Sequence, residues 1–535
     1  MVACNLRALV IGLDGATWNI ILPLVKRGWL PTFKRLIEGG IWGDLQSTFP
    51  FTTAPAWKCY STGKNPGKLG LYSWCSFDIK NLELTVMASD PFRSKEIWDY
   101  LGAYGLTSGV INLPLLCPPR RIRGFIVSGF PLSDSADYTF PKDLKKTLVE
   151  KFDYKINPSE YTLDPQHQLA RKDRFVSEVE ELIKKRFEVT KYLIKLYSPD
   201  FVQVTLFYTD AVQHFFWKEM ETEDERFGRV IENIWKMIDS EIGKLLEEVG
   251  EDTNVLIISD HGFTGLKATF CLNNWFLENG YLNLSLFNIL LSRLRLFNKK
   301  TLHVVRQLGL DKMVRRIIPP EKLMSLQQKI LPPEVSSPEL IWQVDWGSTK
   351  AICVGECGVF LNPELNQKDY ETLRTLLIKE IKTIRNPKTG ENPVSDVKRR
   401  EEIYHGEHLE LAPDLIVIPS EGYRVYDSLM RSVWDYENRV WSAYHKLHGV
   451  FLACGPDIKN CGKIGDVKIY DLAPTILHLF NVPVPREMDG RVLKEIFRED
   501  SEPAKRQVLY QELVTEEILI KKRIKELKIQ KRYRS

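Results

Sequence analysis

Two adjacent threonines, Thr52 and Thr53, stand in the stretch FPFTTAPAWKCYSTGKNPGKLG at residues 49–70, just before an Ala-Pro pair. Pro55 fits the first turn of a helix, where its missing N–H breaks no hydrogen bond. A threonine hydroxyl at that helix start lies beside free backbone N–H groups and the positive end of the helix dipole, where a phosphate binds well. A metal ion at that point would lower the hydroxyl pKa and make it a nucleophile. The same hydroxyl is equally suited to capping the helix, a role worth about 1 kcal/mol. The segment alone leaves both readings open.

Carboxylates and imidazoles supply the other chemistry. Asp210 and His214 in YTDAVQHFFW are four apart, which one helical turn places on the same face. Asp260 and His261 in ISDHGF are adjacent and act together only where the chain turns out of a strand, a turn that Gly262 permits. Asp14 in LVIGLDG ends an apolar run, and His445 in HKLHGVFLACGPDI precedes one. Each has an ordinary reading: an Asp after a strand usually opens a turn or caps a helix, and a lone His is usually structural. Jointly they place Asp or His at four strand ends in a chain with nine histidines. Mixed oxygen and nitrogen donors converging from several strands are what a divalent metal acting on phosphate esters requires.

The elements that must position them alternate. RALVIGLD, IWGDLQS, TSGVINL, RGFIVSG, DFVQVTLFY and NVLIISD read as short strands. Residues 174–197 and 229–250 carry apolar side chains at helical spacing, and the second run stops at Gly250. This predicts an α/β fold, a three-layer, largely parallel sheet with helices on both faces. In such sheets ligands sit beyond the carboxyl ends of the strands, where Asp14, Asp210 and Asp260 fall. Residues 266–345 break the alternation. Between residues 293 and 316 eight Lys and Arg face the single acid Asp311, and the pattern is helical. The predicted organisation is a discontinuous catalytic core, residues 1–265 and 346–498, interrupted by a basic helical cap at 266–345. A C-terminal helical tail at 499–535 follows.

At 535 residues, 44% apolar and 27% charged, the chain has ample material for a buried core. A net charge of +4 over this length argues against general nucleic-acid binding. The nine cysteines form no Cys-x-x-Cys pair, so neither a zinc ribbon nor a disulfide framework is indicated. The opening residues read as a buried strand, so the expected location is cytoplasmic. The basic cap reads first as a solvated helical cap; the lesser reading is a surface for peripheral contact with anionic lipid or another polyanion.

In order, Asp14, Thr53, Asp210, His214, Asp260, His261 and His445 resemble the alkaline phosphatase superfamily. The likeness is nearest to the type I phosphodiesterase/nucleotide pyrophosphatase branch and to the phosphohydrolase/phosphomutase proteins beside it. The segments LVIGLDGATW, TTAPAW, TDAVQHFFW, ISDHGF, HKLHGVFLACGPDI and YDLAPTILHLFNVPVPREMDG carry it. The resemblance implies a metal-dependent phosphoesterase with Thr53 as nucleophile and a phosphothreonine intermediate. It implies two divalent metals: one held by Asp14, Asp260, His261 and Thr53, the other by Asp210, His214 and His445. Zinc suits this donor set and manganese also fits. The implied substrate is a phosphorylated small molecule or a lipid-linked phosphate. Phosphomutase activity on a sugar phosphate, and a peripheral binding protein with a structural metal site, are the alternatives. Two departures narrow the likeness. Leu69 and Trp74 in KLGLYSW replace the His-Gly and Asn of nucleotide pyrophosphatases, so nucleotide specificity is not carried over. TTAPAWK lacks the Cys-x-Pro-x-Arg of sulfatases. Lys64 and Lys68 in the following loop are candidates for phosphate contact or for simple solvation.

Overall fold

The computed structural model describes residues 6–87, 94–158, 172–285, 289, 334–437 and 441–511. A nine-stranded sheet forms its centre. Five adjacent strands are parallel, in the order Asn254–Ile258, Ala8–Leu13, Phe201–Leu206, Ser108–Ile111 and Gly124–Val127. Thr139–Phe140 closes one edge antiparallel. On the other side come His448–Cys454, antiparallel to its neighbours, then Ile41–Gln46 and Gly462–Lys468. All six stretches predicted as strands are strands of this sheet.

Alternation along the first strand shows how the layers are built. Leu9, Ile11 and Leu13 join the apolar cluster that includes Ile183 and Phe187 of the helix Lys172–Tyr197 and Ile231 and Ile238 of Val230–Val249. Ala8 and Val10 point the other way, into a cluster with Trp57 and Tyr60 of the helix Thr53–Thr62 and with Leu472–Leu479. A strand buried on both faces reads as a continuous apolar run, as ALVIGL does. Each Leu, Ile or Val so buried contributes roughly 1.5–3 kcal/mol.

A second body hangs from the end of this sheet. Ala351–Cys353, Gly358–Leu361, Leu415–Pro419 and Val394–Arg399 form a separate four-stranded sheet, and Ala268–Cys271 pairs with Tyr423–Tyr426 and Trp434–Asp435. Both share a third core around Phe270, Phe276, Ile352 and Leu377. The strand pattern that resumes near Lys350 therefore belongs to this second body, and the chain rejoins the central sheet at His448. The strongly basic stretch predicted as a helical cap and the tail beyond residue 511 lie outside the described residues. Among the described residues no helix is long and apolar enough to cross a membrane.

Candidate active site

Register sets the site. Leu13 is level with Leu206, and Gly12 with Ile258, so the chain leaves three parallel neighbours at one edge. Asp14 follows the first of these strands directly. Asp210 lies in the first turn of the helix Tyr208–Glu221, with His214 one turn on, and both are buried. Asp260 and His261 follow the third strand and are fully buried. His445 arrives from the short strand Ala443–Lys446, where it pairs with Phe263 of Gly262–Gly265. The sequence reading placed His445 just before an apolar strand. That strand, His448–Cys454, begins three residues later.

The structure brings all seven predicted side chains together. Thr53 Oγ1 lies 3.5 Å from Asp14 Oδ1 and 3.3 Å from His261 Nε2. His261 Nε2 is in turn 3.6 Å from Asp14, 3.2 Å from Asp260 and 3.9 Å from Asp210. His445 Nε2 sits 3.2 Å from Asp210 Oδ1 and 3.2 Å from His214 Nε2. Two sets of donors converge closely enough to share an ion: Asp210, His214 and His445, and Asp14, Asp210 and His261. The first set has the membership implied by the family resemblance. The second contains Asp210 where the resemblance puts Asp260, whose Oδ1 accepts the backbone N–H of Gly15 at 3.0 Å.

The start of the helix is uncapped. Thr52 occupies the capping position with extended backbone, yet its hydroxyl accepts from no backbone N–H and is buried without a partner. Thr53 is the first helical residue, and its hydroxyl turns to the acids and imidazoles. The ordinary capping role is therefore filled by neither threonine.

These groups fit cations. His214 Nδ1 lies 2.8 Å from the carbonyl of Ala443, so it carries the ring proton and leaves Nε2 with a bare lone pair. That lone pair faces the carboxylate of Asp210 at 3.5 Å and a second imidazole nitrogen. Asp260 Oδ2 is buried with no hydrogen-bond partner. Burial, reinforced by Asp260 and Asp210, raises the carboxyl of Asp14 well above its ordinary value. Burial likewise pushes Asp210 up to about 7, against the pull of His261. Burial drives His261 and His445 down to about 4 and His214 well below its usual range. Crowded carboxylates among neutral imidazoles are unfavourable until positive charge enters, and that charge is what a divalent ion brings.

Several contributors escaped the sequence. Trp57 donates Nε1–H to Asp14 Oδ2 at 2.9 Å; its place four residues after Thr53, on the same helix face, was the available signal. Gly15 has φ +67, and a Cβ there would meet the ring of Phe263 at 2.8 Å. Gly262, by contrast, needs no left-handed backbone; it is required because a Cβ would lie 2.0 Å from the carbonyl oxygen of His448. Trp441 stacks on His214 with ring centroids 4.1 Å apart. Lys64 and Lys68 pair with Glu487 and Asp489 at 2.9 and 2.6 Å, so both ammonium groups are engaged within the protein.

Among solved structures, murine ectonucleotide pyrophosphatase/phosphodiesterase 5 superposes with a TM-score of 0.50 at 15% identity, covering 92% of this chain and 100% of that one. Phosphonoacetate hydrolase from Sinorhizobium meliloti, in complex with phosphonoformate, gives 0.53 at 16% identity, covering 89% and 96%. At such identities the likeness speaks to fold. Comparison with curated proteins finds no match. The family model for type I phosphodiesterase/nucleotide pyrophosphatase matches residues 8–445, a span that runs from the strand before Asp14 to His445 itself. This chain belongs to the type I phosphodiesterase/nucleotide pyrophosphatase family and is a hydrolase of phosphoric ester bonds.

Proposed function

We propose that the protein hydrolyses phosphodiesters or phosphomonoesters of small molecules in two displacements through Thr53, at a centre holding two divalent ions. The observation that carries this reading is the approach of Thr53 Oγ1 to Asp14 and His261 at the open start of a helix. Asp210, His214 and His445 would hold one ion, and Asp14, Asp260 and His261 the other, with Asp210 close enough to serve both. Zinc suits the mixed carboxylate and imidazole donors, and manganese also fits. When bound, the ions would lower the pKa of a hydroxyl or water and offset the charge that builds on the transferring phosphoryl group.

Thr53 Oγ1 attacks phosphorus, forming a P–O bond as the ester oxygen departs from the opposite face; the hydroxyl proton passes to solvent, which returns one to the departing oxygen. Backbone N–H groups at the uncapped first turn of the Thr53–Thr62 helix would donate to the phosphoryl oxygens. Water then attacks from the side the leaving group vacated. That breaks the bond to Thr53, restores its hydroxyl and releases the phosphate or phosphomonoester. Trp57 holds Asp14 in orientation, and the Ala443 carbonyl fixes the tautomer of His214.

Purified protein with added zinc or manganese is expected to hydrolyse bis-p-nitrophenyl phosphate or p-nitrophenyl phosphate. Thr53→Ala should lower turnover about a thousandfold or more while metal content persists. Full activity in Thr53→Ala would overturn the covalent route.

A further inference from the structure

Arg424 lies on the strand Tyr423–Tyr426, which runs parallel to Ala268–Cys271, the strand reached a few residues after His261. Its guanidinium carbon sits 4.0 Å from the ring centre of Tyr426, 4.3 Å from Trp441 and 5.1 Å from Tyr444. Two of those rings are packed on the metal-ligand candidates. Trp441 stacks on His214 at 4.1 Å, and Tyr444 stacks on His445 at 4.6 Å. The guanidinium is therefore held one aromatic layer from the two imidazoles, and its charge helps keep both of them neutral.

Its polar edge is unspent. Nε is buried with no hydrogen-bond partner. Glu356 and Asp427 are charged neighbours, but neither closes an ion pair with it among the described residues, and Asp427 Oδ2 accepts the backbone N–H of Gly355. The side chain as a whole is only half-buried. Arginine stacked on rings is fixed in orientation while its N–H fork stays available, and that fork matches the paired oxygens of a phosphate or carboxylate. Lys64 and Lys68, the loop cations considered for that task, are already paired.

We propose that Arg424 recognises a second anionic group of the substrate, a phosphate or a carboxylate beyond the scissile phosphorus, on the His214–His445 side of the centre. This rests on the phosphoesterase reading and narrows it to substrates with at least two anionic groups. A neutral organic substituent would leave the fork unmatched, whereas a second anion gains a charge-assisted, two-pronged contact.

Calorimetric titration of the metal-loaded full chain tests it with three probes. Methylphosphonate carries one anionic group, methylenediphosphonate a second phosphonate, and phosphonopropionate a carboxylate. The wild type should bind one of the doubly anionic probes about tenfold more tightly than methylphosphonate, and which one identifies the second group. Arg424→Gln should erase that preference, with bound metal by elemental analysis equal to wild type, and Arg424→Lys should keep part of it. Equal weakening of all three probes, or no preference in the wild type, overturns the proposal. So does loss of metal or of folding in Arg424→Met, which keeps an apolar stem against the rings and would assign the guanidinium to structure. Absence of ester hydrolysis by the wild type would instead count against the phosphoesterase reading.

Discussion

Asp210 links the two sets of donors in the candidate site, because it reaches His214, His445 and His261 at once. With its carboxyl raised from 3.8 to about 7 by burial, the folded metal-free protein holds a proton there that the unfolded chain has released. That contribution to stability declines as pH rises from about 4 to 7. A cation must displace that proton and the one that burial favours on Asp14, so apparent metal affinity should strengthen by about tenfold or more per pH unit between pH 5 and 7. The imidazoles add little to this slope, since His261 and His445 are neutral above about 4. Titration of zinc or manganese into metal-free protein at several pH values checks the prediction, and a pH-independent affinity would contradict it. A second expectation concerns Thr53. Acid quenching of a turnover mixture with p-nitrophenyl phosphate should leave the mass of one phosphoryl group on the peptide containing it, and none on the same peptide from Thr53→Ala. At this scale the sequence was informative where a carboxylate follows an apolar strand, as with Asp14 and Asp260, or where a scarce imidazole stands near one, as with His445. It offered only a weak signal for Trp57, four residues after Thr53, and none for Arg424, whose ring partner Trp441 lies in another segment.

At the scale of elements, the turn after the first strand decides whether the acids meet. Gly15 adopts φ +67, its N–H holds Asp260 Oδ1, and its α-carbon faces Phe263 and Asp210. An alanine there would add left-handed strain and a clash with an aromatic ring. Gly15→Ala should therefore lose about 1–3 kcal/mol of stability and, through Asp260, bound metal as well. Denaturant unfolding with elemental analysis reads both effects. The parallel strands were legible because apolar runs of four to six residues, bounded by turn signals, rarely mean anything else in an alternating chain. The helix Val230–Val249 likewise ended as Gly250 foretold, at φ +81. The role of Gly262 was not legible. Only the finished packing shows that a carbonyl from the strand His448–Cys454 occupies the space of its missing side chain.

Across the whole molecule, distant segments converge on the loop behind the Thr53–Thr62 helix. Asp489 accepts from Lys68, from the backbone and side-chain amides of Asn65, and lies 2.8 Å from His405 Nε2 of the second body. Removing it would leave several half-buried donors unmatched. Asp489→Ala should cost about 2–4 kcal/mol, seen as a lower unfolding midpoint with metal content retained. The second body itself was hidden from sequence reading. Its strands carry the same apolar patterning as those of the central sheet, and only hydrogen-bond pairing assigns Ala351–Leu361 to one sheet and His448–Cys454 to the other. Carboxylates and imidazoles from these separate segments would surround two ions beside Thr53. Elemental analysis of purified, metal-saturated protein counts those ions. Two equivalents of zinc or manganese per chain are expected in the wild type, and one in a His214→Ala, His445→Ala double variant. No bound metal in the wild type, or two equivalents in the double variant, would rule out a two-ion centre built by these side chains.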